Sequence, residues 1–448
     1  MKRKSKIGFI SLGCPKNQVD TEVMLAEVVA AGYEVTPDDT EADIVIINTC
    51  AFIESAKQEA IDNILDEAWL KKNANLKGII VTGCLSQRYQ KQVFEELPEV
   101  DAVLGVGALH HIVEAIEAVE RKKQYSNFDD IMTMKMGGDR VVTTPEHLAY
   151  LKISEGCDNR CTYCAIPMIR GGVRSRPIED LVAEAKEMEG LGARELILVA
   201  QDTTVYGKDL YGEPKLVELI QAITKETEIP WLRVLYCYPD KITDSLVEEF
   251  RNNPRLVKYI DLPVQHTSET VLRRMNRRGG REAIFDAVKR LRTVPGMIIR
   301  STFIVGFPGE TEEDFMQLCE DAQTLAFDKL GVFPYSREED TPAYDFPDQI
   351  DEQTKQDRAD RLMQEQANRS ALAAMKMVGQ TVTVLVEGFD AVSETYFGRI
   401  YADAYDIDGK VFFSNPVGNR RFKEGQFVLV KIKDCYDDYD LIGDAVNG

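Results

Sequence analysis

The sequence predicts an α/β protein in three parts: an N-terminal parallel α/β domain, a central partial (β/α)6 barrel and a small C-terminal antiparallel β-barrel. Three observations predict it. Apolar, β-rich runs alternate with helical stretches through residues 1–130; a second series of six such units follows; and after Gly379 short strands separated by turn residues replace the alternation. In the first series Lys6–Leu12, Ile44–Asn48, Gly78–Thr82 and Ala102–Val106 read as strands. Helices are expected over Gln18–Ala31, Glu54–Lys72, Gln87–Leu97 and Leu109–Arg121, and Lys122–Gly138 reads as a linker. Alternation at this spacing predicts a parallel sheet covered by helices on both faces.

The second series offers strands Leu148–Ile153, Glu195–Ala200, Trp231–Tyr236, Tyr259–Val264, Ile298–Val305 and Lys329–Pro334, with helices such as Ile178–Leu191, Leu216–Thr227 and Thr311–Leu325 between them. Six β/α units fall short of the eight of a closed barrel. Asp351–Met377 is a polar, Gln-rich helical segment. Thr381–Glu387, Tyr396–Ala402, Lys410–Phe413, Phe427–Lys433 and Asp440–Val446 read as the strands of the last barrel. The expected boundaries are therefore 1–130, 143–350, 351–377 for a connecting helix, and 378–448.

Composition narrows the function. The chain is 44% hydrophobic and 29% charged over 448 residues, which excludes a fibrous or mainly disordered protein. No apolar run is long enough for a membrane span, and only Ile7–Leu12 follows Lys2, Arg3 and Lys4, too short for a secretory signal. The net charge of −21 repels bare phosphate backbone and favours a basic partner. Nine cysteines are far too few for a disulfide scaffold, so they are expected reduced, in a cytoplasmic protein, and available to metal.

Cys157, Cys161 and Cys164 stand at x₃ and x₂ spacing just past a predicted strand. Thiolates select soft metals: zinc or an iron–sulfur cluster. A structural zinc wants four closed ligands, and no partner pair follows. Three ligands leave one corner open, which fits a reactive cluster better; zinc and unliganded core thiols stay as alternatives. Cys14, Cys50 and Cys84 form a dispersed set, each one or two residues beyond the predicted end of a strand. Parallel strands end on one edge, where open α/β sheets place ligands, so the three can meet. The competing reading is that free cysteine packs as a small hydrophobe. Cys237, Cys319 and Cys435 have no partner at ligand spacing and read as structural.

Other features point to the same rim. Gly306-Phe307-Pro308-Gly309-Glu310 follows a strand and opens a helix, either a ligand-approaching turn or a plain capped one. Gln265-His266 and Gln201-Asp202 also end strands, where barrel chemistry gathers. Gly105-Val106-Gly107 is only a fragment of a dinucleotide fingerprint. Two arginine groups, Arg273–Arg281 and Arg170, Arg174 and Arg176, read as solvated or carboxylate-paired, with contact to an anionic ligand or RNA as the alternative. Residues 376–448 carry eight basic and twelve acidic side chains, so this barrel suits a basic protein surface better than RNA, although Arg420, Arg421 and Lys423 leave a local RNA contact open.

The Cys157–Cys164 loop resembles the hallmark of the radical S-adenosylmethionine superfamily. The three-part chain is similar throughout to the methylthiotransferase family, whose last domain is a TRAM barrel. Ser11–Asn17, Arg170–Arg176, Leu262–His266 and Gly331–Glu339 resemble its ribosomal-protein branch. The tRNA-modifying relatives usually carry Gly-Cys-Gln-Met-Asn near the first cysteine and Gln-Ser-Gly-Ser at the position of Gln265–Ser268. Asp340 departs from the glycine common in the ribosomal-protein branch.

The resemblance implies two 4Fe–4S clusters. One, on Cys157, Cys161 and Cys164, would chelate S-adenosyl-L-methionine and generate a 5′-deoxyadenosyl radical. The other, on Cys14, Cys50 and Cys84, would carry the sulfur to be transferred. Tyr163, Gln201, Gln265, His266 and Gly306 are the expected cofactor-binding residues. The implied substrate is an aspartate of small-subunit ribosomal protein number twelve, free or in the ribosomal subunit, giving 3-methylthioaspartate. An electron donor such as flavodoxin or ferredoxin and a sulfur source are implied partners. A tRNA adenosine methylthiotransferase is the nearest alternative, and a zinc-stabilised, non-catalytic ribosome-assembly binder a more distant one.

Overall fold

The computed structural model describes residues 4–415, 421–437 and 439–446. Lys2, Arg3 and Arg420 lie outside the described residues. The N-terminal sheet has six parallel strands in the order Glu34–Thr36, Lys6–Ser11, Ile44–Thr49, Gly78–Gly83, Ala102–Leu104 and Tyr125–Asn127. Every residue of Ile44–Thr49 is buried, because helices cover both faces. Side chains alternate across the strand: Val45 and Ile47 enter one core, Ile44 and Ile46 the other.

Sequence and structure differ at the margins of this domain. The three-residue strand Glu34–Thr36 is too short to show a pattern. Tyr125–Asn127 lies inside the expected linker, yet it completes the sheet by pairing with Ala102–Leu104. The helix expected over Gln87–Leu97 is two helices, Cys84–Tyr89 and Gln92–Glu96, broken where Gln90 takes φ 48°. The first of them begins at Cys84 itself.

The central sheet is also parallel and six-stranded, in the order Lys329–Pro334, Ile298–Val305, Leu256–Asp261, Trp231–Val234, Glu195–Val199 and Leu148–Lys152. It does not close, so this is the partial barrel expected. Leu256–Asp261 lies three residues earlier than the predicted Tyr259–Val264. The chain beyond it turns through Gln265, at φ 73°, and rejoins the sheet in a single bridge to Phe303.

The helix Glu352–Met377 starts on Asp351, whose carboxylate accepts the Thr354 N–H at 2.9 Å. It leads into a closed barrel of Thr381–Asp390, Thr395–Arg399, Val411–Ser414, Phe427–Tyr436 and Asp440–Ala445. That barrel is not wholly antiparallel: Val411–Ser414 and Asp440–Ala445 run parallel, which closes the ring.

A buried ion network seats this barrel on the central domain. Arg399 donates to Glu195 at 2.6 Å and to Glu387 at 2.7 Å, while Arg233 donates to the other Glu195 oxygen at 2.6 Å. Asp403 accepts from Lys329 and Asp408 from the Tyr259 hydroxyl, at 2.8 and 2.7 Å. Part of the acidity read as a surface for a basic partner therefore serves internal docking. Arg399→Ala removes the buried cation shared by Glu387 and one oxygen of Glu195, leaving Glu195 only Arg233. The expected loss is about 3–5 kcal/mol of unfolding free energy, read by denaturant titration.

Candidate active site

Cys14, Cys50 and Cys84 follow the adjacent parallel strands Lys6–Ser11, Ile44–Thr49 and Gly78–Gly83 and share one edge of the sheet. Two glycines permit the approach. A Cβ on Gly13 would lie 2.7 Å from Cys50 Cβ, and one on Gly83, at φ 93°, would lie 2.3 Å from Asn48 Oδ1. Asn17 ties the three turns together. Its amide donates to Leu12 O at 3.0 Å and Thr49 O at 2.8 Å, and its Oδ1 faces Cys84 Sγ at 3.7 Å. Asn48 donates back to Asn17 O at 2.8 Å. Burial alone would raise the Cys14 thiol, but Lys16 and Arg170 outweigh it and hold it below the usual value. Burial and the neighbouring Cys84 push Cys50 up to about 12.

The second set begins at Gly156, whose φ of 77° suits glycine; a Cβ there would lie 2.0 Å from Gly172 O. The Cys157 N–H then donates to Gly171 O at 3.0 Å. Asn159 donates to Cys157 Sγ at 3.4 Å and to Asp202 at 2.7 Å, and Lys241 donates to both Asn159 and Asp202. Cys161 Sγ meets the Tyr238 hydroxyl at 3.2 Å, and the Arg277 guanidinium lies 4.0 Å from the Tyr238 ring centre. Burial holds the Cys157 and Cys164 thiols above their ordinary value.

The donor chemistry fits clusters. Among the described residues, only His110, His111 and Asp129 bring three metal-ligating atoms within 4.8 Å of one another. Neither cysteine triad is that tight. Three thiol donors at each set are the soft ligands that iron–sulfur clusters take.

Buried charges connect the two sets. Arg170 Nη1 donates to Asp20 at 2.7 Å and Glu155 at 2.8 Å; Nη2 donates to Asn17 Oδ1 and approaches Cys84 Sγ at 3.6 Å. Lys152 donates to Asp20 and, at 3.0 Å, to Glu155. The other Glu155 oxygen accepts the Gly156 N–H at 3.1 Å and the Gln201 amide at 2.7 Å. Burial alone would raise Glu155, but Arg170 and Lys152 hold it well below the usual carboxylate range. Arg170 is fully buried on Asp20 and Glu155 and Arg176 is buried on Glu184, so both are carboxylate-paired, whereas half-buried Arg174 donates to Arg170 O at 3.1 Å. Arg277 likewise leaves the surface of its own group, whereas Arg281 pairs with Asp321 at 2.6 Å.

The remaining expected residues lie around the same end of the sheet. Gln201 Oε1 and Gln265 Oε1 are buried and unpartnered by protein groups. Tyr163 packs edge-on to Phe307 at 6.5 Å, beside the Gly306 turn. Gly306, at φ 69°, is pressed by Lys355, whose Cγ would sit 2.3 Å from an added Cβ. His266 is fully buried: its Nδ1 accepts the Ser268 N–H at 2.9 Å, and its Nε2 faces Glu310 at 3.8 Å. Asp202, beside Gln201, and Arg277, in its arginine group, carry a signal in the sequence, and Asn17 and Asn159 lie inside the cysteine motifs. Asp20, Lys152, Glu155 and Tyr238 have no distinguishing spacing: Asp20 is on a helix, Lys152 and Glu155 on strands and Tyr238 in a loop.

The chain is similar to known proteins along nearly its whole length. Residues 6–105 match the uncharacterized protein family UPF0004, residues 151–322 the radical SAM superfamily, and residues 378–446 the TRAM domain. The chain is 47% identical to the ribosomal protein uS12 methylthiotransferase RimO of Acetivibrio thermocellus, covering 99% of both chains. It is 46% identical to that of Geobacter sulfurreducens, again over 99% of each. The chain belongs to the RimO family of radical SAM methylthiotransferases. Among solved structures, the radical S-adenosylmethionine methyltransferase TsrM of Kitasatospora setae is similar in fold at TM-score 0.57 and 14% identity, over 77% of each chain. The radical enzyme OxsB matches at TM-score 0.50 and 13% identity, over 82% of this chain and 56% of the other. As a radical SAM enzyme of the RimO family, the protein uses a 4Fe–4S cluster and S-adenosylmethionine. Among the described residues no helix is long and apolar enough to cross a membrane.

Burial beside the Gly306 turn lowers His266 to about 3, so the folded protein refuses a proton that the unfolded chain accepts near 6.5. Its contribution to stability is therefore full above pH 6.5 and is lost as pH falls toward 3. Unfolding free energies measured between pH 7 and 5 should decline by up to about 1.4 kcal/mol per unit from this group, and His266→Gln should remove that part of the slope.

Proposed function

We propose that the protein transfers a methylthio group to the β-carbon of an aspartate in ribosomal protein uS12, using a cluster on each cysteine triad. One observation carries the reading: two triads, each one ligand short of a closed site, are joined by the buried Arg170 network in a chain 46–47% identical to named RimO proteins. When bound, the Cys157, Cys161 and Cys164 cluster and S-adenosylmethionine supply a radical able to take hydrogen from an unactivated C–H bond, chemistry beyond any side-chain acid or base.

The protein's own residues prepare the two ends. Cys14, Cys50 and Cys84 hold the sulfur-carrying cluster, and Arg170 and Lys16 offset the charge of its thiolates. Lys16 is fixed for this by lying 3.6 Å from the Tyr236 ring centre and near Ala200 O. Asn159, Tyr238 and Arg277 orient the Cys157–Cys164 loop and keep water from its sulfurs. The free amide oxygens of Gln201 and Gln265 are available to the polar groups of S-adenosylmethionine. The surplus of carboxylates on the rest of the surface attracts a basic ribosomal protein. A flavodoxin or ferredoxin and a separate sulfur source complete the reaction.

Anaerobically reconstituted protein should contain about eight iron atoms per chain; about four would remove the second cluster. Cys157→Ala should abolish 5′-deoxyadenosine formation under dithionite. Cys84→Ala should keep that cleavage measurable and stop thiomethylation, both read by mass spectrometry. In a deletion strain, uS12 should lack the methylthio mass; its persistence there, with a thiomethylated nucleoside missing from tRNA, would assign the enzyme to the tRNA reaction instead.

A further inference from the structure

Away from the cysteines, the Val106–His111 turn carries two adjacent histidines that converge on Asp129. His111 Nε2 lies 3.0 Å from Asp129 Oδ2, and His110 Nε2 lies 3.5 Å from the same oxygen. Zinc bonds of about 2.0–2.2 Å to nitrogen and oxygen set neighbouring tetrahedral donors about 3.4 Å apart, close to both distances.

The surroundings support these three side chains as a unit. Glu114 Oε2 stands 2.8 Å from His111 Nδ1 and accepts the Tyr125 hydroxyl at 3.0 Å. A carboxylate at Nδ1 fixes the proton there and leaves the Nε2 lone pair for a metal, as behind many histidine ligands. Asp129 is delivered by its backbone. A Cβ on Gly107, in the same turn as the histidines, would lie 2.3 Å from Asp129 O, so the two segments touch closely.

What the site would fasten is also visible. Asp130 caps the short turn Ile131–Thr133 through the Met132 N–H at 2.9 Å. Met132 and Ile131 reach Gly171, where an added Cβ would lie 2.7 Å from Met132 Sδ and 3.3 Å from Ile131 Cδ1. Gly171 O is the acceptor of the Cys157 N–H. Residues 127–133 thus form a strap between the N-terminal sheet and the cysteine loop.

We propose that His110, His111 and Asp129 bind a divalent first-row transition metal, with zinc the best-fitting ion, which fastens this strap to the N-terminal domain. Water or a partner group completes its coordination, because among the described residues three protein ligands converge. The alternative for the same contacts is an imidazolium held between Glu114 and Asp129 with no affinity for metal.

The test uses anaerobically reconstituted protein with its cysteines occupied, dialysed against buffered zinc. We expect about one zinc per chain beyond the iron, with nitrogen and oxygen but no sulfur neighbours by zinc-edge X-ray absorption. His111→Ala and Asp129→Asn should lose it with the iron content unchanged. Glu114→Gln should weaken it about 10–100-fold. Zinc should slow amide hydrogen exchange in residues 127–133 of the parent protein and leave the variants unaffected. Absence of zinc, sulfur neighbours, or equal binding by Asp129→Asn would overturn the site; binding without slower exchange would overturn the fastening.

Discussion

The buried pairing of Arg170 and Lys152 with Asp20 and Glu155 is the constraint on which the two sites depend. Four ionised groups removed from water are tolerated only where each finds an opposite charge at hydrogen-bond distance. Asp20 belongs to the N-terminal domain, and the other three to the central one. The two domains must therefore meet in one register, and that register puts Arg170 against Cys84 while Glu155 holds the backbone entering the Cys157 loop. Replacing the network with apolar groups would keep a core but lose both this register and the positive charge beside Cys84.

Much of this was legible in the amino-acid pattern. The two β/α series, the six-stranded partial barrel and the last barrel follow from period and turn chemistry. The convergence of Cys14, Cys50 and Cys84 follows from topology alone, because parallel strands end on one edge. What escaped was set by partners distant in sequence. Tyr125–Asn127 has no periodicity of its own and becomes a strand because Ala102–Leu104 offers it an edge. Arg170 reads as one of three surface arginines until Asp20, 150 residues earlier, is seen beside it. Gln90 breaks a helix whose apolar spacing gave no warning.

Charge illustrates the same limit. The last barrel is acidic in composition, which by itself reads as a surface for a basic target. Glu387, Asp403 and Asp408 are instead engaged with Arg399, Lys329 and Tyr259, seating the barrel on the central domain. Net charge describes a long-range field, whereas the fate of each carboxylate is decided by what packs against it.

The spacing of the two thiol sets also bears on biogenesis. Cys157, Cys161 and Cys164 occupy one short loop, so a peptide of that length can gather them without tertiary structure. Cys14, Cys50 and Cys84 come from three successive strands and are neighbours only after those strands have paired. With clusters on both triads, as proposed, loading at Cys14, Cys50 and Cys84 would be coupled to formation of the sheet, whereas the Cys157–Cys164 loop could gather iron before the sheet forms.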